Sequence, residues 1–160
     1  MPLTQGLRIS DLLQLKWSNV TKTHVSVTMQ KTSDVVSVKL PTRAQEVLQF
    51  YRNSGARPSD FVFPMLRSDK DYSNPRALFR ALSSATAYAN KDLKSVAKRA
   101  GIEKSISFHS SRHTFATRAL AKGMPIEYVS KLLGHASIKT TQIYAKIINE
   151  KLDQAMDVFN

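Results

Sequence analysis

The sequence predicts a mostly helical fold with a small β-hairpin near the N-terminus. Apolar residues recur at three- and four-residue spacing through most of the chain, and strict alternation is confined to the stretch from His24 to Leu40. The chain's 160 residues, 42% of them hydrophobic, are enough to bury one core. No internal repeat or low-complexity tract divides it, so residues 1–160 are expected to form one domain.

The elements follow in order. Ser10 precedes Asp11, Leu12, Leu13 and Leu15 and is read as the cap of a short helix, with Asp11 in its first turn. Val25, Val27 and Met29 then alternate with Ser26, Thr28 and Gln30. Val36 and Val38 repeat the pattern after the polar Thr32-Ser33-Asp34, which makes a hairpin with Lys31 where the first strand enters the turn. Pro41-Thr42 opens a helix. Thr42 and Gln45 fit a capping box, and Ala44, Val47, Leu48 and Tyr51 form a stripe that should stop near Ser54-Gly55. Residues 56–75, rich in Pro, Asp and Ser around Phe61-Val62-Phe63, read as a long surface connection with one buried anchor.

Helical text resumes after Pro75. Ala89, Leu93, Val96, Ala97 and Ala100 are expected to share a buried face opposite Lys91, Lys94, Lys98 and Arg99, with Gly101 as the stop. A further helix is expected from about Ser111 to Lys122. The next opens at Pro125 and carries Ile126, Val129, Leu132 and Leu133 as far as Gly134, and a last helical region follows Ser137. Tyr51, Tyr88 and Tyr128 read as half-buried aromatics.

Charge narrows the function. Twenty-four Lys and Arg against twelve Asp and Glu give a net charge of +12, which attracts a polyanion: DNA, RNA or an acidic membrane surface. The same excess fits a merely basic soluble protein. Cysteine is absent, which excludes disulfides and thiolate zinc sites. No apolar run approaches the roughly 20 residues of a membrane helix, and the N-terminus lacks the pattern of a signal peptide. A soluble cytoplasmic protein without a membrane partner is expected.

The segment from Phe108 to Tyr144 carries the chemistry. His109 and Arg112 are three residues apart, so at a helix start they point the same way. Arg112 can offer a forked pair of donors to a phosphate, and His109 can exchange a proton near neutral pH. Gly134 ends a helix and lets His135 emerge at its tip; Tyr144 follows nine residues later. Each piece is common by itself. Together with Arg8 and Lys31, in a basic domain, they suit phosphoryl transfer without a metal or any other cofactor. No carboxylate pair accompanies the histidines, so a metal-dependent nuclease lacks its ligands.

The ordered set resembles the tyrosine recombinase, or phage-integrase, family. Gly6-Leu7-Arg8-Ile9-Ser10-Asp11-Leu12 matches the family's first arginine motif, Gln30-Lys31-Thr32 its hairpin lysine, His109 and Arg112 its His-x-x-Arg box, Leu133-Gly134-His135 its Leu-Gly-His box, and Tyr144 its terminal tyrosine. The match runs from Gly6 to Ile147. Ser83-Ser84-Ala85-Thr86-Ala87 and Asn90-Lys91-Asp92-Leu93-Lys94 have the flavour of integrases from Bacteroides-type mobile elements.

This resemblance implies the catalytic-domain fold and a site made of Arg8, Lys31, His109, Arg112, His135 and Tyr144. Arg8 and Arg112 would grip the nonbridging oxygens of one scissile phosphate. Tyr144 would attack phosphorus to form a 3′-phosphotyrosyl link, and Lys31 would protonate the departing 5′ oxygen. His109 would act as acid–base partner and His135 would hydrogen-bond the phosphate. His113 points about 100° from Arg112 on a helix and is read as a structural hydrogen bond. His24 has no evident partner, Asp11 reads as a helix-start charge, and Lys22 and Lys39 lie away from the family's lysine position.

The resemblance implies double-stranded DNA as partner and a homo-tetramer on paired sites in the full-length protein. Family members carry further helices and a DNA-clamping domain before the Gly-Leu-Arg motif, so an N-terminally truncated catalytic domain is expected. A type IB topoisomerase-like enzyme, and an inactive DNA-binding relic, remain as alternatives. Ile147, Ile148, Leu152, Met156 and Phe159 give the tail an apolar face, for its own core or for a neighbouring protomer.

Overall fold

A computed structural model of the chain describes residues 6–29, 35–52 and 55–146. Its elements are α1 (Ile9–Leu13), a 3-10 turn (Trp17–Asn19), β1 (His24–Thr28), β2 (Val35–Lys39), α2 (Thr42–Tyr51), α3 (Pro75–Arg99), α4 (Phe108–Ala121) and α5 (Ile126–Leu133). Residues 139–146 are helical as well. The mostly helical fold with one hairpin is therefore as expected. Lys31, the turn at residues 32–34, Ser54 and the apolar tail from Ile147 lie outside the described residues.

The hairpin is antiparallel, with Val25 opposite Val38 and Val27 opposite Val36. These four valines are buried while Thr28, Val35, Ser37 and Lys39 are exposed. Period-two alternation thus sends one face into a core completed by Leu12, Leu15, Trp17, Met29, Leu48 and Val62. Val62 is the anchor of the long connection, its amide donating to the Leu15 carbonyl at 2.8 Å.

α1 is short and works as a divider. Leu12 joins the hairpin core, whereas its neighbour Leu13 packs with Leu66, Leu82 and Ala85 against α3. A third cluster of Ala116, Ala119, Val129, Leu133 and Tyr144 joins α4, α5 and the helical residues 139–146. Adjacent apolar positions on α1 face different layers because successive helix residues are rotated by about 100°.

Several boundaries differ from the sequence reading. Arg8, not Ser10, is the N-cap of α1, and it makes no side-chain cap bond. Pro41 precedes α2, leaving Thr42 as the first helical residue, and Gln45 reaches back instead to the Leu40 carbonyl at 2.9 Å. α4 begins at Phe108 rather than Ser111: the N-cap Ser107 N–H donates to the Ser110 hydroxyl of the first turn at 3.2 Å, and the Phe108 N–H donates to the side-chain carbonyl oxygen of Asn90, on α3, at 2.9 Å. On α3 the buried face runs through Leu82, Ala85 and Ala97, while Val96 is 59% exposed and Ala100 is exposed too. Lys91, Lys94, Lys98 and Arg99 are exposed as anticipated.

Candidate active site

The site forms where the Gly-Leu-Arg segment, the start of α4 and the end of α5 meet. Gly6 opens it with φ +85°, a conformation that a side chain strains. A Cβ there would lie 2.5 Å from Phe115 Cδ1 and 2.8 Å from Leu133 Cδ2. Only glycine lets this backbone lie against α4 and α5. Gly134 plays the matching part at the far side: it ends α5 with φ 57° and packs against Met29 of the hairpin segment.

Two arginines brace this meeting point. Arg8 Nη2 donates to the Gly134 carbonyl at 3.0 Å, and its Nη1 lies 3.9 Å from Asp11 Oδ2. That Nη1 is buried and makes no hydrogen bond among the described residues. Arg112 is 3% exposed; Nη1 donates to the Gly6 carbonyl at 2.5 Å and Nη2 to the Leu133 carbonyl. Both guanidinium groups therefore bind the C-terminal end of α5, where carbonyl groups lack helical partners and the helix dipole is negative. Burial first, and the Arg8 charge second, bring the Arg112 pKa down to about 10, where it remains a cation at neutral pH.

Arg8, His109 and Arg112 line one cleft of about 260 Å³, together with Asn90 and Thr86 of α3. A larger cleft of about 740 Å³ lies along α3 and α4 and is lined by none of the expected site residues. The smaller one gathers the chemistry. His109 is held below the ordinary imidazole range, chiefly by desolvation and then by the charges of His113, Arg112 and Arg8, so its neutral form is favoured.

Tyr144 is 4% exposed, with its ring in the α4–α5 core. Burial raises its phenol pKa above 10, an effect that the Arg112 charge offsets in part. Its hydroxyl lies 2.9 Å from His113 Nδ1, and the His113 ring meets the His109 ring edge-on at 4.5 Å between centroids. Tyr144 is thus linked to the arginine-lined cleft through two imidazoles. His135 follows the carbonyl that receives Arg8, and its Nδ1 lies 2.8 Å from the hydroxyl of Thr141, one turn before Tyr144.

Sequence reasoning missed four contributors: His113, Asp11, Asn90 and the fully buried Thr141. The hydrogen bond expected of His113 is present, but its partner is Tyr144 itself. The 109/113 spacing was the available signal, because residues four apart share a helix face. Tyr128 and Tyr88 are each 64% exposed and Tyr51 is 39% exposed, so these three are exposed rather than half-buried, whereas Tyr144 is buried. His24 stands apart at the open end of the hairpin, its Nδ1 2.8 Å from the Thr23 hydroxyl. Among the described residues, no three His, Asp or Glu side chains gather as a metal site, and no helix is long and apolar enough to cross a membrane.

Comparison with known proteins decides the family. Residues 2–151 match the model of the phage integrase family. The chain belongs to that family. A tyrosine recombinase of Pseudothermotoga lettingae is 33% identical over 152 residues, 92% of this chain and 48% of that protein. Tyrosine recombinase XerD of Listeria innocua is 34% identical over 159 residues, 97% of this chain and 50% of that protein. This phage integrase family chain therefore spans about half the length of the curated relatives it matches. Its fold is that of the XerA recombinase crystal structure, with a TM-score of 0.66 and 25% identity over 98% of this chain and 54% of that one. The XerH recombinase, solved in a post-cleavage complex with its palindromic difH substrate, gives a TM-score of 0.66 at 23% identity, covering 97% of this chain and 42% of that one.

Proposed function

We propose that this chain is the catalytic domain of a tyrosine-type site-specific DNA recombinase, cutting and rejoining DNA through a 3′-phosphotyrosyl intermediate. The observation that carries the reading is the arginine-lined cleft joined through His109 and His113 to a buried tyrosine hydroxyl. Arg8 and Arg112 hold their charge where a phosphate would sit and offset charge gathering in the transition state. Tyr144 Oη forms the new bond to phosphorus as the bond to the 5′ oxygen breaks. Lys31 has the role of protonating that oxygen, and His135 that of hydrogen-bonding the phosphate. The 5′ hydroxyl later displaces Tyr144, so no high-energy cofactor is needed.

The +12 charge supports double-stranded DNA as substrate. The family resemblance supports a homo-tetramer on paired sites in the full-length protein, acting on the bacterial nucleoid in integration or excision of a mobile element; the flavour of residues 83–87 and 90–94 is what suggests a Bacteroides-type element. The test is trapping on a nicked suicide duplex, with the N-terminal region typical of the relatives joined to the chain. Tyr144→Phe should abolish the covalent adduct and leave fold and DNA affinity nearly intact. An adduct that persists in Tyr144→Phe, or that maps to another tyrosine, overturns the assignment. Strand exchange between two marked duplexes separates a recombinase from an enzyme that only relaxes DNA.

A further inference from the structure

We infer that His113 is the proton acceptor for Tyr144: a catalytic residue of the strand-cutting step, acting on the nucleophile itself. The inference rests on the reading of Tyr144 as nucleophile. A buried phenol at neutral pH keeps its proton, and burial here moves Tyr144 further from ionisation. A base within hydrogen-bond reach is then required, and His113 Nδ1 stands 2.9 Å from the hydroxyl.

Three further observations fit this role. His113 is exposed at the helix surface, so a proton accepted at Nδ1 can be relayed to water from the other ring nitrogen. Tyr144 is fixed by its own burial in the α4–α5 core, which keeps the hydroxyl at that nitrogen. The edge-on His109 ring, 4.5 Å away, connects the pair to the cleft lined by Arg8 and Arg112. The charged and titratable groups around His113 are His109 and Arg112 on α4 and Tyr144 on the facing helical segment, with Arg8 acting on His109 from ahead of α1.

The proton balance is simple. His113 begins neutral, with its ring proton on Nε2 and Nδ1 free to accept. As the bond from Tyr144 Oη to phosphorus forms and the phosphorus–5′ oxygen bond breaks, the phenolic proton passes to Nδ1. The resulting imidazolium returns it to the phenolic oxygen when the 5′ hydroxyl re-forms the diester, and the leaving oxygen is protonated by a separate group. His109, whose neutral form is favoured, does not compete with a positive charge on its neighbour.

The test isolates nucleophile activation from leaving-group protonation. Thymidine 3′-(p-nitrophenyl phosphate) releases p-nitrophenolate, which departs without an acid, so labelling of Tyr144 reports attack alone and needs no target sequence. His113→Asn keeps a polar atom near the position of Nδ1 but cannot take the proton. It should slow labelling about 100-fold and abolish the acid limb of the wild-type pH–rate profile. In the unmodified chain, ¹⁵N imidazole spectra should show His113 with Nδ1 unprotonated, and its shift should move in Tyr144→Phe. A His113→Asn protein that labels Tyr144 at the wild-type rate with the wild-type profile overturns the inference, as does an Nδ1-protonated His113 indifferent to Tyr144→Phe. Labelling that persists in Tyr144→Phe instead overturns the function proposed above.

Discussion

Arg112→Ala separates two duties that fall on one side chain. The guanidinium donates to the Gly6 and Leu133 carbonyls and is 3% exposed, so it holds the Gly-Leu-Arg segment against the end of α5. Hydrogen bonds from a charged donor contribute about 1.5–3 kcal/mol each. Against them stands the cost of burying the charge: a pKa brought from 12.5 to about 10 corresponds to about 3 kcal/mol. Alanine recovers that cost but leaves two carbonyls without donors and a cavity where the side chain lay, adding about 1–3 kcal/mol per orphaned group. The balance is a destabilisation of at least about 2 kcal/mol, or a Tm lower by roughly 5 °C or more in a chain of this size. Urea unfolding should show a lower midpoint with an unchanged slope. Arg112→Lys should fall between, since one ammonium cannot reproduce the planar fork. A loss below about 1 kcal/mol in the alanine variant would refute the bracing role.

Other expectations are equally direct. Gly6→Ala meets both a positive φ and a Cβ contact of 2.5 Å to the Phe115 ring, so it should cost more than about 2 kcal/mol by thermal unfolding; a neutral substitution would mean the segment sits elsewhere. Native His109 should titrate below 6.5 by NMR. Its neutral form is the one folding prefers, so the associated stability is present above about pH 6.5 and is lost as pH falls toward the native value; a midpoint above 6.5 contradicts the site's electrostatics. DNA affinity should fall steeply with salt, with a log–log slope of about −0.9 per phosphate neutralised, and a flat titration would contradict the reading of the +12 charge.

Local sequence determined the elements whose logic is local. Alternation of valines across a polar turn specified the hairpin and its buried face, because side chains of a strand point to opposite sides at a fixed period. Gly134 marks the end of α5, and the order of Arg8, Lys31, His109, Arg112, His135 and Tyr144 carries the family resemblance in the sequence alone. Helix starts were less legible. The start of α4 combines a local Ser107–Ser110 bond with a bond to Asn90, 18 residues upstream, and no local pattern announces that partner from another helix.

Tertiary structure alone decided what these residues touch. The sequence offers Arg112 as a candidate phosphate ligand; what the fold shows is that it carries the contact between Gly6 and Leu133, residues 127 positions apart in the chain. His113 was assigned an ordinary hydrogen bond, and the fold turned that bond onto the hydroxyl of Tyr144, 31 residues away. Tyr128 reads in the sequence as a half-buried aromatic, yet it is 64% exposed while Tyr144 is 4% exposed. The physical reason is the same throughout. Composition and spacing set which groups a segment can offer, but a side chain's partner, its dielectric surroundings and hence its proton affinity depend on packing between segments distant in the chain.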